Sequence, residues 1–114
     1  MLTEEIQHMS DQYVMNTYDR LPMSIVRGQG CHVYDAEGRS YLDCVGGIAV
    51  NALGYSHPDI VTIIERQVRQ LLHTSNLFYT EPQAELAHCL VEHSFADKVF
   101  FCNSGAEANE AALK

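Results

Sequence analysis

Positive charge is scarce in this chain. Seven Lys and Arg stand against 15 Asp and Glu in 114 residues, a formal net charge of −8. The seven are scattered and form no basic stripe, so the electrostatic footprint of a nucleic-acid binder is missing. Long apolar runs are missing too, and none approaches the ~20 residues of a membrane helix. The amino terminus, Met1-Leu-Thr-Glu-Glu-Ile6, is acidic and lacks an apolar stretch, so neither a secretory signal nor an Arg-rich transit peptide is expected. Cys31, Cys44, Cys89 and Cys102 include no Cys-x-x-Cys pair. Their apolar surroundings predict buried free thiols in a reducing cytoplasm. His88 and His93 are too far apart to share a helix face as i, i+4 ligands, and no metal site is expected. Proline is limited to three residues, 46% of the chain is hydrophobic and 19% is charged. That composition excludes disorder and suits one small domain.

Residues 3 to about 16 read as an amphipathic helix, with Thr3 as N-cap and Ile6, Met9 and Tyr13 on one face. Leu21-Pro22 then favours extended chain. Residues 24–27, 31–35 and 40–43 read as short antiparallel strands. Asp35-Ala-Glu-Gly38 between the last two has turn chemistry, with Asp first and Gly fourth. Gly46-Gly47 and Gly54 bracket Ile48-Ala49-Val50, which fits either a close backbone approach or a simple loop. Pro58 opens a helix to about Leu72, striped by Ile60, Ile64, Val68 and Leu71. Thr80-Glu-Pro-Gln83 reads as a capping box opening a helix that ends near His93. An apolar strand over 98–102 then leads through Asn103-Ser104-Gly105 into a last helix.

That strand–turn–helix junction is the candidate site. Ser104 can cap the helix and Glu107, three residues on, can complete a capping box. The same residues admit a second reading. Gly105 and Ala106 would present free backbone N–H groups with little side-chain bulk, and the helix dipole would favour a phosphate there. The chain stops inside this helix, so the sequence is expected to continue.

The stretches Asn16-Thr-Tyr-Asp-Arg-Leu-Pro22, Gly28-Gln-Gly30, Asp35-Ala-Glu-Gly-Arg-Ser-Tyr-Leu-Asp43, Gly46-Gly-Ile-Ala-Val-Asn-Ala-Leu-Gly54, His57-Pro58, His73-Thr-Ser-Asn-Leu-Phe-Tyr79 and Phe101-Cys-Asn-Ser-Gly-Ala-Glu-Ala-Asn-Glu-Ala-Ala112 occur in that order. Together they resemble the class III (fold type I) pyridoxal-phosphate aminotransferases, and within them the acetylornithine group. The resemblance runs from about Tyr18 to Lys114. It implies an α/β architecture: residues 1–56 as a small α+β lobe and 57–114 as the truncated start of the large parallel-sheet domain. It implies pyridoxal 5'-phosphate as cofactor, with Ser104, Gly105 and Ala106 at its phosphate. Many relatives carry Thr or Ser where this chain has Ala106. Tyr18 and Tyr79 match positions near the substrate, Tyr79 reaching the neighbouring subunit's site; ordinary packing is the other reading of both. Tyr55 replaces a His common in the family.

The resemblance further implies a cytoplasmic homodimer that moves the terminal amine of N2-acetyl-L-ornithine to 2-oxoglutarate in arginine biosynthesis. Ornithine, succinylornithine or 4-aminobutyrate are alternative substrates. A non-catalytic short product that pairs with a full-length subunit is the reading from another class. No catalytic residue is expected in these 114 residues. The Schiff-base lysine, the acidic partner of the ring nitrogen, the stacking aromatic and the carboxylate-binding Arg would all lie further on. Lys98 and Lys114 are the only lysines, and neither matches the catalytic one.

Overall fold

The turn at Asp35-Gly38 organises the first half of the molecule. In the computed structural model, which describes all residues from 1 to 114, the Gly38 N–H donates to the Asp35 carbonyl at 3.0 Å. Gly38 has φ +83°, a left-handed value that a Cβ would oppose. The turn joins strands β2 (His32–Asp35) and β3 (Ser40–Leu42). Strand β1 (Ile25–Gln29) pairs antiparallel with β2, so the sheet order is β1-β2-β3. The three strands fall within two residues of the sequence expectation, and a register irregularity lies between Ile25 and Arg27. The mixed α/β character expected from sequence is thus present.

The helices are α1 (Thr3–Tyr13), α2 (Gly46–Ala49), α3 (Pro58–Gln70), α4 (Glu81–Glu92) and α5 (Gly105–Leu113). Pro58 sits in the first turn of α3 as expected, where its missing N–H costs nothing. Helix α1 is shorter than expected, ending where Val14 turns extended. Thr3 is not its N-cap: Leu2 holds that place, and Thr3 lies inside the helix. Glu5 Oε2 accepts the Leu2 N–H at 2.9 Å, and the N-terminus is also held from outside. The Thr3 N–H and hydroxyl donate to Glu37 Oε1 and Oε2, each at 2.8 Å, so a carboxylate in the β2–β3 turn clips the positive end of α1. Thr80 occupies the N-cap of α4, but its side chain accepts no capping hydrogen bond, so the expected capping box is not formed.

Residues 98–102 pair with no strand. The apolar run Val99-Phe100-Phe101 has strand composition, but a strand needs a hydrogen-bonded neighbour and this chain supplies none. The chain divides into two units, Met1–Leu72 and His73–Lys114. Neither has an apolar core. The buried residues are Thr3, Ser24 and Asp35, all polar. The accessible surface is 10331 Å². A compact protein of 12.8 kDa would expose about 6,300 Å². The excess explains a further correction: the four cysteines are free, as expected, but all are exposed rather than buried.

Candidate functional site

Ser104 caps α5 as the sequence predicts. Its hydroxyl oxygen accepts from the Glu107 N–H at 3.2 Å. The other half of the capping box differs. Glu107 Oε2 accepts from the Asn103 N–H at 2.8 Å, one residue before the cap, instead of from the Ser104 N–H. The consequence is chemical. The N–H groups of Ser104, Gly105 and Ala106 have no hydrogen-bond acceptor within the chain. They form three consecutive donors at the positive end of a helix. A Cβ built on Gly105 would meet nothing within 4 Å, so the space over that turn is open. A phosphate group suits such a cradle in charge and in hydrogen-bond sense. The exposed Cys102 thiol turns back on the Ser104 carbonyl at 3.4 Å.

Tyr79 lies just before α4 and is fully exposed, while Tyr18 lies in the extended segment after α1 and is 74% exposed. Neither makes a hydrogen bond, and they belong to different units. No group of three or more His, Cys, Asp and Glu converges as a metal site.

A second polar centre lies in the sheet unit. Asp35 is 2% exposed and gathers the turn around itself. It accepts from Arg39 Nε at 2.6 Å, the Arg39 N–H at 2.8 Å, the Tyr41 hydroxyl at 2.8 Å and the Glu37 N–H at 3.1 Å. Burial pushes the Asp35 carboxyl up, but the donors from Tyr41 and Arg39 together outweigh it and hold it below the ordinary value. The bonds from Thr3 likewise lower Glu37.

Sequence reasoning missed Asp43. Its carboxylate accepts from the Tyr55 hydroxyl at 2.6 Å, the Val45 N–H at 2.8 Å and the Gly46 N–H at 3.1 Å. The Tyr55 bond is the main cause of the lowered Asp43 carboxyl and of the raised Tyr55 phenol. The signal for the local part was an Asp two and three residues before Val45-Gly46, a spacing that favours an Asx turn. The residues that follow form a left-handed turn, α2. Gly46, Gly47, Ile48 and Ala49 have φ of 57°, 64°, 59° and 63°. Two glycines accept this freely, whereas Ile48 and Ala49 each pay roughly 1–2 kcal/mol. Gly54 does make the close approach that its type suggested: a Cβ there would lie 2.9 Å from the Gly30 carbonyl oxygen.

The sequence model of the family described as aminotransferase class III matches residues 13–114. The chain belongs to the class III aminotransferases. It is 60% identical over 104 residues to acetylornithine aminotransferase of Synechocystis sp., covering 91% of this chain and 24% of that protein. It is 47% identical over 114 residues to acetylornithine aminotransferase of Methanothermobacter thermautotrophicus, covering 100% of this chain and 29% of that protein. Among solved structures, acetylornithine aminotransferase from Elizabethkingia anophelis superposes with a TM-score of 0.94 at 33% identity, over 100% of this chain and 30% of that one. Plasmodium falciparum ornithine δ-aminotransferase gives 0.92 at 30% identity, over 99% and 30%. The chain thus spans about a quarter of the length of the curated relatives it matches. The fold is that of part of a fold type I pyridoxal-phosphate enzyme.

Class III aminotransferases depend on pyridoxal phosphate, and the residues present suit one end of that cofactor. The free N–H row of Ser104 to Ala106 and the open face of Gly105 fit its phosphate. No matching provision exists for the reactive carbonyl end. Lys114 is ion-paired to Glu110 at 3.7 Å on α5 itself, and Lys98 lies in the unpaired segment before the cradle.

Proposed function

We propose that these residues are the N-terminal portion of an aminotransferase that moves the terminal amine of N2-acetyl-L-ornithine to 2-oxoglutarate, in arginine biosynthesis. The observation that carries the reading is the row of three unpaired N–H donors opening α5, inside the segment matched by the family. The acetylornithine assignment is supported by relatives of that name at 47–60% identity. Ser104, Gly105 and Ala106 hold the cofactor phosphate, and Ala106 serves through its backbone alone. Bound cofactor supplies an electron sink that lets the carbon bearing the reacting amine give up its proton. Tyr18 and Tyr79 flank the amino donor, Tyr79 across the interface of a cytoplasmic homodimer. Residues 1–56 belong to the small lobe and 57–114 open the large domain. The 114-residue chain by itself transfers no amine, because it lacks the lysine that would hold the cofactor and move the proton.

The test is glutamate formation by the complete polypeptide, with N2-acetylornithine, ornithine, succinylornithine and 4-aminobutyrate as donors and 2-oxoglutarate as acceptor. N2-acetylornithine should lead in kcat/KM by at least ~10-fold over ornithine. A preference for ornithine, succinylornithine or 4-aminobutyrate would replace the substrate assignment. Absence of transamination with every donor would overturn the reading.

A further inference from the structure

The left-handed turn is strained and yet held, and the residue that ties its holder to the sheet is Tyr55, where the family commonly has His. Asp43 accepts from the N–H groups of Val45 and Gly46, the two residues that enter the turn. Its Oδ2, which shares the Gly46 N–H at 3.1 Å, also takes the Tyr55 hydroxyl at 2.6 Å. Tyr55 is itself fixed on three sides. Its N–H donates to the Gly30 carbonyl at 2.8 Å, and its carbonyl accepts the Gly30 N–H at 2.9 Å. Its ring lies against the backbone of Gly28, where an added Cβ would sit 2.7 Å from the Tyr55 Cβ. Only glycine at 28 leaves room for the ring. The tyrosine thus bridges the sheet unit to the mouth of the turn, and the turn displays Ile48, 87% exposed, and Val50, 80% exposed. Strain of this kind persists only where surrounding structure over-determines it, and it concentrates at ligand-contacting segments.

We infer that Tyr55 is a positioning residue whose hydroxyl, acting through Asp43 and seated on Gly28, locks the Gly46–Ala49 turn in its left-handed form for binding of the amino donor. Without the hydroxyl, Asp43 keeps the N–H groups of Val45 and Gly46 but loses its link to Tyr55 and through it to the sheet. The turn can then relax toward the right-handed conformation that Ile48 and Ala49 prefer. A histidine at 55 carries an N–H donor that can serve the same carboxylate.

The experiment compares wild type, Tyr55→Phe and Tyr55→His of the complete polypeptide. Amide hydrogen exchange over residues 46–51 should be about tenfold faster in Tyr55→Phe and return toward wild type in Tyr55→His. The amino-donor KM should rise about fivefold in Tyr55→Phe with kcat within about twofold, and Tyr55→His should restore it. Unchanged exchange in Tyr55→Phe overturns the lock. Faster exchange with an unchanged KM overturns its role in donor binding. The kinetic arm rests on the aminotransferase reading, so wild type inactive with every donor would overturn that reading and the donor-binding role together. The exchange comparison would still decide the lock.

Discussion

The meander of residues 24–55 and the segment of residues 93–114 are built by opposite means. In the meander, side chains close the local structure. Asp35 collects Glu37, Arg39 and Tyr41, Glu37 clips Thr3, and Asp43 joins Tyr55 to the entry of the left-handed turn. Every carboxylate there has a partner within the chain. In the segment, Phe95 and Phe100 stand exposed, residues 98–102 pair with nothing, and the first N–H groups of α5 have no acceptor. The meander carries its own specification, while the segment leaves apolar side chains and backbone donors without partners in the chain. That difference is what a site-bearing strand–turn–helix unit should show, since its donors must be left free for a ligand.

The largest expected effect attacks the segment. In the complete polypeptide, Gly105→Asp places a carboxylate over the three free donors. It should weaken pyridoxal-phosphate binding by at least ~100-fold, read by equilibrium dialysis, since it exchanges an attraction for a charge repulsion. Retained binding would remove the cradle from the site. The next effect attacks the meander. Gly28→Ala forces a Cβ into the Tyr55 ring, and should cost about 1–3 kcal/mol in thermal unfolding. An unchanged melting curve would show that the contact is soft.

A smaller effect is acid sensitivity. Asp35, Glu37 and Asp43 are held below ordinary values of 3.8, 4.5 and 3.8. Depressed folded values mean that their stabilisation is complete above the ordinary values and is lost as pH falls through the folded ones. The melting temperature of the complete polypeptide should therefore fall below about pH 4 and stay flat between pH 5 and 8 on their account. Asp35→Asn should flatten that acid limb, and an identical limb in the variant would contradict the assignment. The smallest effect is Ser104→Ala, which removes one cap and should cost about 1 kcal/mol of α5 stability in the complete polypeptide. It leaves the backbone donors in place, so cofactor affinity should change less than in Gly105→Asp.

Much of the meander was legible because its signals are local. The Asp-x-x-Gly turn at 35–38 and the Pro58 helix start depend on neighbours a few residues away, and both formed as read. Ser104 as cap was legible for the same reason. What escaped the sequence is what crosses distance. Glu37 reaches Thr3 over 34 residues, and Tyr55 reaches Asp43 over 12. No periodicity encodes such pairs. Two glycines at 46–47 announced unusual backbone, but Ile48 and Ala49 continue the left-handed path against their own preference, which no local signal in the sequence encodes. The strand expected over 98–102 failed for the converse reason: its composition is right, but pairing is a property of two segments. Thr80 shows that a cap-like sequence does not guarantee the bond.

The contrast between the two regions is tested most directly by residue-resolved amide hydrogen exchange on the isolated 114-residue chain. The account predicts slowed exchange for the ladder amides of residues 25–42. It predicts exchange near the unprotected rate for residues 93–104, with no cooperative, monomeric thermal transition for the chain as a whole. Equal protection of both regions with a single cooperative transition would contradict it.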